Sequence, residues 1–142
     1  MAEVVSVNIS EKRGTVKHEV DEIKLIVNYG IEGDAHAGNW HRQISLLAEE
    51  SIDTMRGRGM ELINGAFAEN INTVGIDLKA LPVGTIMNVG ECVLEVTQIG
   101  KECHDGCAIR QLVGQCIMPR EGIFCRVIEG GKVYENDGVE VI

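Results

Sequence analysis

Short apolar runs closed by glycine recur along this chain, and they limit its fold more than any other feature. Val5, Val7 and Ile9 alternate with Val4, Ser6 and Asn8, and Ile23, Leu25 and Val27 alternate again before Asn28-Tyr29-Gly30. A period of two places successive side chains on opposite faces, the pattern of a half-buried strand. Met87 to Val89 and Cys92 to Thr97 flank Gly90-Glu91 as the arms of a hairpin do, with Cys92, Leu94 and Val96 on one face. Phe67 to Val74 reads as loop into strand, Leu81-Pro82-Val83-Gly84 as a turn, and Phe124 to Ile128 and Val139 to Ile142 as closing strands on either side of Glu129-Gly130-Gly131. Seventeen glycines against two prolines supply the tight turns such an arrangement needs.

One stretch reads as a helix. Ser45 is placed to cap it, Ala48, Ile52 and Met55 follow at helical spacing, Glu49 and Glu50 occupy the first turn, and Arg56-Gly57-Arg58-Gly59 supplies a stop. Ala108 to Val113 suits one further helical turn. The expected fold is therefore mostly β, an antiparallel β-barrel or two packed sheets with one or two short helices, in a single domain over residues 1–142. With aromatics at 4%, its core must rest on Val, Ile, Leu and Met.

A net charge of −9 argues against a nucleic-acid partner, because phosphate binding draws on clustered Lys and Arg. No apolar run approaches the roughly 18 residues of a membrane helix. Five cysteines, an odd number, without a secretory leader imply free thiols in a reducing cytoplasm.

Three of these thiols, Cys103, Cys107 and Cys116, crowd into the segment from Ile99 to Cys116 together with Lys101, His104, Asp105 and Arg110. Histidine and cations beside a cysteine lower its pKa and make thiolate available. The Cys103-x3-Cys107 spacing is looser than a zinc knuckle and has no second pair, so no metal site is assigned. Cys92 and Cys125 lie in apolar strand patterns and suit small buried hydrophobes, and Cys116 leans the same way. In the glycine-bounded Gly33-Asp-Ala-His-Ala-Gly38, small residues let backbone or ligand approach His36 closely, as acid, base or anion donor. Arg42, followed by Gln43 and the helix start, suits bidentate recognition of a phosphate or carboxylate. No phosphate-binding glycine loop and no serine elbow is present.

In order along the chain, GIEGDAHAG from Gly30, RQISLLA from Arg42, AFAENI from Ala66, GIDL from Gly75, LPVG from Leu81, the cysteine segment from Gly100, and the ending from Gly130 to Val141 resemble the MOSC domain, the family named for the C-terminal domain of molybdenum cofactor sulfurase. Asn136-Asp137 departs from the family's frequent Gly-Asp at that turn. The resemblance is to the small, stand-alone form, and it implies an antiparallel, pyruvate-kinase-barrel-like fold. It further implies a sulfur-carrier or sulfur-transfer domain whose cleft cysteine holds a persulfide, pyridoxal-phosphate-independent. Molybdenum cofactor (molybdopterin) chemistry or metal–sulfur centre assembly would be its setting, with a cysteine desulfurase as donor and a molybdenum-cofactor or metal–sulfur enzyme as acceptor. The family cysteine falls at Cys107 by its spacing to the following strand, with Cys103 as the alternative. Cys107, Cys103, His104 and His36 are thus the expected catalytic group, and Arg42, Gln43, Asn70 and Lys101 the expected cofactor-binding group. A second reading stays open: a non-catalytic module that binds molybdopterin, an oxyanion or a metal as adaptor to a partner enzyme.

Overall fold

The computed structural model describes residues 2–12, 15–57, 62–100 and 122–142. The described chain is mostly β with one α-helix. The strands are β1 (Glu3–Ile9), β2 (His18–Val20), β3 (Glu22–Ile26), β4 (Gly30–Ile31), β5 (Ile44–Ala48), β6 (Ile71–Val74), β7 (Ile86–Val89), β8 (Cys92–Ile99), β9 (Ile123–Glu129), β10 (Gly131–Tyr134) and β11 (Val139–Val141). Helix α1 (Glu49–Arg56) follows β5, and a 3-10 turn spans Leu78–Ala80.

An eight-stranded sheet runs β11-β7-β8-β9-β5-β6-β1-β2, and a three-stranded sheet runs β10-β3-β4. The expected closed antiparallel barrel is met only in part. β1, the last strand but one of the eight-stranded sheet, meets the residue before β11 only at an isolated bridge, Glu3 to Gly138, and not at a ladder. Backbone bonds around the bridge, Val4 N–H to Asp137 O at 2.8 Å and Val139 N–H to Ala2 O at 3.0 Å, hold the seam. Pairing is antiparallel except for β5 beside β6, which is parallel.

The expected helix start at Ser45 is corrected. Ile44–Ala48 is a strand buried along its whole length, and α1 begins only at Glu49. The reason is position: β5 lies between β6 and β9 with both faces covered, and such a central strand shows a continuous apolar run instead of alternation. The helical spacing holds from Ala48 onward, with Ile52 and Met55 buried. Arg56 closes the last turn by pairing with Glu49 and with Asp53, the latter at 2.9 Å.

In β1 a bulge between Val4 and Ser6 interrupts the simple alternation. Val4 and Val7 are the buried apolar residues, while Ser6 and Asn8 turn inward to Asn72 Oδ1 at 2.8 Å each. The hairpin at Gly90-Glu91 is as expected, with Cys92, Leu94 and Val96 fully buried. The core is aliphatic, centred on Ile44, Leu46, Ile71, Met87, Leu94 and Ile123, with Phe67 and Phe124 in a second cluster under α1. Among the described residues no helix is long and apolar enough to cross a membrane.

Candidate functional site

The GDAHAG loop leaves β4 and turns back on itself at Gly33, where φ is +85°, a backbone conformation glycine adopts without strain. This turn buries the Asp34 carboxylate, which gathers three segments. Its Oδ1 accepts the Ser10 N–H at 3.1 Å and the Lys17 ammonium at 2.8 Å, and its Oδ2 accepts the His36 N–H at 3.1 Å. Asp34 therefore holds the backbone of His36, while the His36 ring meets a different group: Nδ1 lies 3.1 Å from Lys17 Nζ. Lys17 is 1% exposed, and it also donates to Ser10 Oγ at 3.0 Å. Sequence reasoning missed Lys17, because it sits outside any periodic run and nothing near it in sequence signals burial.

From His36 the contacts continue outward. The Trp40 indole donates to His36 O at 2.8 Å. The Arg42 guanidinium lies over the Trp40 ring at 5.9 Å and over the Phe124 ring at 5.5 Å, a double cation–π seat. Its Nε donates to Gln98 Oε1 at 3.0 Å, the same oxygen that His41 Nε2 approaches at 2.9 Å. Beside this seat a cleft of about 410 Å³ opens, lined by Asn28, Trp40, His41, Thr97 and Arg126 among others. Trp40 and His41 thus lie at its wall, while Gln98, which carried no sequence signal, joins the site through Arg42 and His41.

Two of the expected cofactor-binding residues are bonded inside the fold. Gln43 is fully buried, its Oε1 accepting the Val127 N–H at 3.0 Å and its Nε2 donating to Asn28 Oδ1 at 3.3 Å. Asn70 is equally buried, accepting from Ser45 N–H at 3.0 Å and donating to Asn8 O at 3.1 Å. The neighbouring Glu69 carboxylate accepts from Gly65 N–H, Phe67 N–H and Asn72 Nδ2, and burial pushes its pKa up. Nor does a helix N-terminus assist Arg42, since β5 separates the two.

Lys101, Cys103, His104, Cys107, Arg110 and Cys116 lie outside the described residues. The frame from which they hang is described. The β8–β9 ladder runs to Ile99 opposite Ile123, and Gly100 N–H then bonds Gly122 O at 2.7 Å, so the 101–121 segment departs and returns at one point. Gln98 Nε2 donates to Gly100 O at 2.6 Å, which ties that point to Arg42 and His41. Cys92 and Cys125 are buried, as their strand patterns suggest. Burial, then the Glu91 and Asp137 charges, push the Cys92 thiol up to about 11, and burial drives Cys125 upward too. Among the described residues no group of three His, Cys, Asp or Glu is arranged to hold a metal ion.

Comparison with known proteins gives one family and several solved structures of the same fold. The MOSC domain family matches residues 33–140. The YuaD protein of Bacillus subtilis superposes with a TM-score of 0.79 at 20% identity, covering 99% of this chain and 96% of that one. YiiM of Geobacillus stearothermophilus gives 0.77 at 19% identity, covering 100% and 75%. YiiM of Escherichia coli gives 0.69 at 25% identity, covering 100% and 70%. Sequence comparison with curated proteins gives no match.

Proposed function

The chain belongs to the MOSC domain family, and on that premise we propose that it carries or transfers sulfur through Cys107. One observation supports this most: the cysteine-bearing segment is rooted at the Gly100–Gly122 bond, and Gln98 fastens Arg42 and His41 to the same root. A cation or imidazole near a cysteine favours thiolate, the form that attacks sulfur. The Cys107 thiolate attacks the outer sulfur of a donor cysteine persulfide. A new S–S bond forms at Cys107, the donor's S–S bond breaks, and the donor leaves as thiolate. An acceptor thiolate takes the sulfur by the same exchange and returns Cys107 to thiolate, with no net oxidation. Cys103 and His104 act beside it as second thiol and proton carrier. A cysteine desulfurase suits the donor role, and a molybdenum-cofactor or metal–sulfur enzyme the acceptor role.

Incubating reduced protein with a cysteine desulfurase and cysteine, then mapping added mass by peptide mass spectrometry, tests this. The expected adduct is one sulfur on Cys107, abolished by Cys107→Ser with the fold intact. An adduct on Cys103 transfers the role by one alignment step. Loading that survives both serine substitutions refutes a thiol carrier.

The Arg42 seat favours a second reading, a binding module for molybdopterin, an oxyanion or a metal. With Nε tied to Gln98 and its guanidinium within about 6 Å of two rings, Arg42 retains two terminal nitrogens that bond no described residue, a fork suited to phosphate. These residues fit the phosphate of a pterin, which Arg42, with Lys101, would hold; the cofactor would supply the metal–sulfur centre. Gln43 and Asn70, bonded within the sheet, are not part of that set. Calorimetric titration with molybdate and with inorganic phosphate, repeated on Arg42→Met, decides this reading. Affinity that is absent, or that Arg42→Met leaves unchanged, removes it.

A further inference from the structure

We infer that Lys17 is a positioning residue that holds His36 as the neutral, Nε2-protonated tautomer, so that His36 is a hydrogen-bond donor and not a base. The inference deepens the sulfur-carrier reading and rests on it for the acceptor, an anionic sulfur or oxygen. The inference rests on the one polarity an ammonium can show toward a ring nitrogen at hydrogen-bond distance. A lysine ammonium has three protons and no acceptor. Among the described residues, Asp34 Oδ1 at 2.8 Å, Ser10 Oγ at 3.0 Å and His36 Nδ1 at 3.1 Å lie within hydrogen-bond reach of Lys17 Nζ. Asp34 Oδ1 can only accept, and it also takes the Ser10 N–H at 3.1 Å. The Ser10 hydroxyl spends its one proton on Lys12 O at 3.0 Å, so toward Lys17 it accepts. At 3.1 Å from a group that can only donate, His36 Nδ1 presents its lone pair to the ammonium. The ring proton therefore sits on Nε2.

The opposite tautomer would set two N–H donors against each other at 3.1 Å in a site where Lys17 is 1% exposed. Asp34 Oδ2 lies 3.9 Å from Nδ1, beyond hydrogen-bond reach, and is already engaged by the His36 N–H. Trp40 fixes the carbonyl of the same residue, so backbone and ring are both held. Such second partners set which nitrogen of a histidine carries the proton, and with it the histidine's role.

Long-range 1H–15N NMR of labelled protein at pH 7 reads the tautomer without any substitution, with His36→Gln assigning the signal. An unprotonated Nδ1 and protonated Nε2 are expected; an Nδ1–H tautomer or an imidazolium overturns the inference. In folded Lys17→Met, His36 should show both tautomers, and an unchanged spectrum removes the role of Lys17. Sulfur loading gives a separate arm. Glutamine donates from a similar place but takes no proton, so His36→Gln should keep the loading rate within about threefold while His36→Ala loses about tenfold. Equal loss in both overturns the donor role. A wild type that takes up no sulfur refutes the carrier reading, and the tautomer then decides this inference alone.

Discussion

Lys17→Met tests how much of the site is held by one buried charge. Methionine keeps most of the apolar stem and deletes the ammonium, so the change removes charge and donors with little loss of volume. The Asp34 carboxylate, fully buried, loses its partner at 2.8 Å but keeps the Ser10 and His36 N–H groups at 3.1 Å. Removing one member of a buried pair costs about 3–5 kcal/mol, because the other charge stays behind. The two retained backbone donors soften that loss, while the lost ammonium bonds to Ser10 Oγ and His36 Nδ1 add to it. A net of about 4 kcal/mol results, a large share of the roughly 5–15 kcal/mol that holds a domain of this size folded.

Urea unfolding at pH 7 of wild type, Lys17→Met, Asp34→Asn and the double variant measures it. Asp34→Asn should be costly for the mirror-image reason, leaving the ammonium without its carboxylate. The double variant should cost clearly less than the sum, by about 2 kcal/mol, because it leaves neither charge stranded. The loss should also persist at high salt, since a pair with no exposure to solvent is poorly screened. A Lys17→Met cost below about 1 kcal/mol, or an additive cycle, refutes the reasoning, because either shows the pair to be solvated.

Gly65→Ala should destabilise by at least about 2 kcal/mol in the same assay, since φ there is +93° and a Cβ would collide with the Lys17 carbonyl oxygen. A cost under about 0.5 kcal/mol would show that Lys17 can retreat at little expense. Cys92 and Cys125 should resist iodoacetamide at pH 8 in the folded protein and react on unfolding, because burial holds both thiols protonated, Cys92 up to about 11; native labelling at either, read by peptide mapping, contradicts this. Glu69 has its pKa raised from 4.5 by burial, so its proton is held more tightly folded than unfolded. The stability this contributes is full below about 4.5 and is lost as pH rises through the higher folded value. The stability of wild type relative to Glu69→Gln should therefore fall as pH increases from about 4; a flat or rising difference refutes the assignment.

What the sequence made legible depends on how far away each residue's partners lie. The hairpin β7–β8 needs only local alternation and the Gly90-Glu91 turn, and it reads directly. β5 does not, because what distinguishes Ile44–Ala48 from a helical turn is its pair of neighbours, one from residues 71–74 and one from 123–129. The strands β2 and β4, of three and two residues, carry no periodic signal of their own. At the site the same division holds. His36 and Arg42 stand out by local chemistry, small residues around one and a cation beside polar groups for the other. Lys17 and Gln98 acquire their roles only when β1, the 33–38 loop and β8 come together.

Hydrogen-bond accounting also sorts scaffold from site among polar residues that look alike in sequence. In sequence Gln43 and Asn70 look as suited to a cleft as Arg42 does, and they and the neighbouring Glu69 are fully buried. Gln43 ends on the backbone of β9, Asn70 on β5 and β1, and Glu69 on the turn at residues 65–67. In each, the polar atoms face strands or turns of the same fold, and moving one to a ligand would orphan a buried N–H or C=O. Arg42 differs, for its one bond to Gln98 sets direction without exhausting its donors. His36 differs again, with one ring nitrogen facing the donor-only ammonium of Lys17. A residue can serve a ligand only with the capacity the fold leaves it. On that criterion the described site reduces to His36 and Arg42, held by Lys17, Trp40 and Gln98 at the root of the cysteine segment.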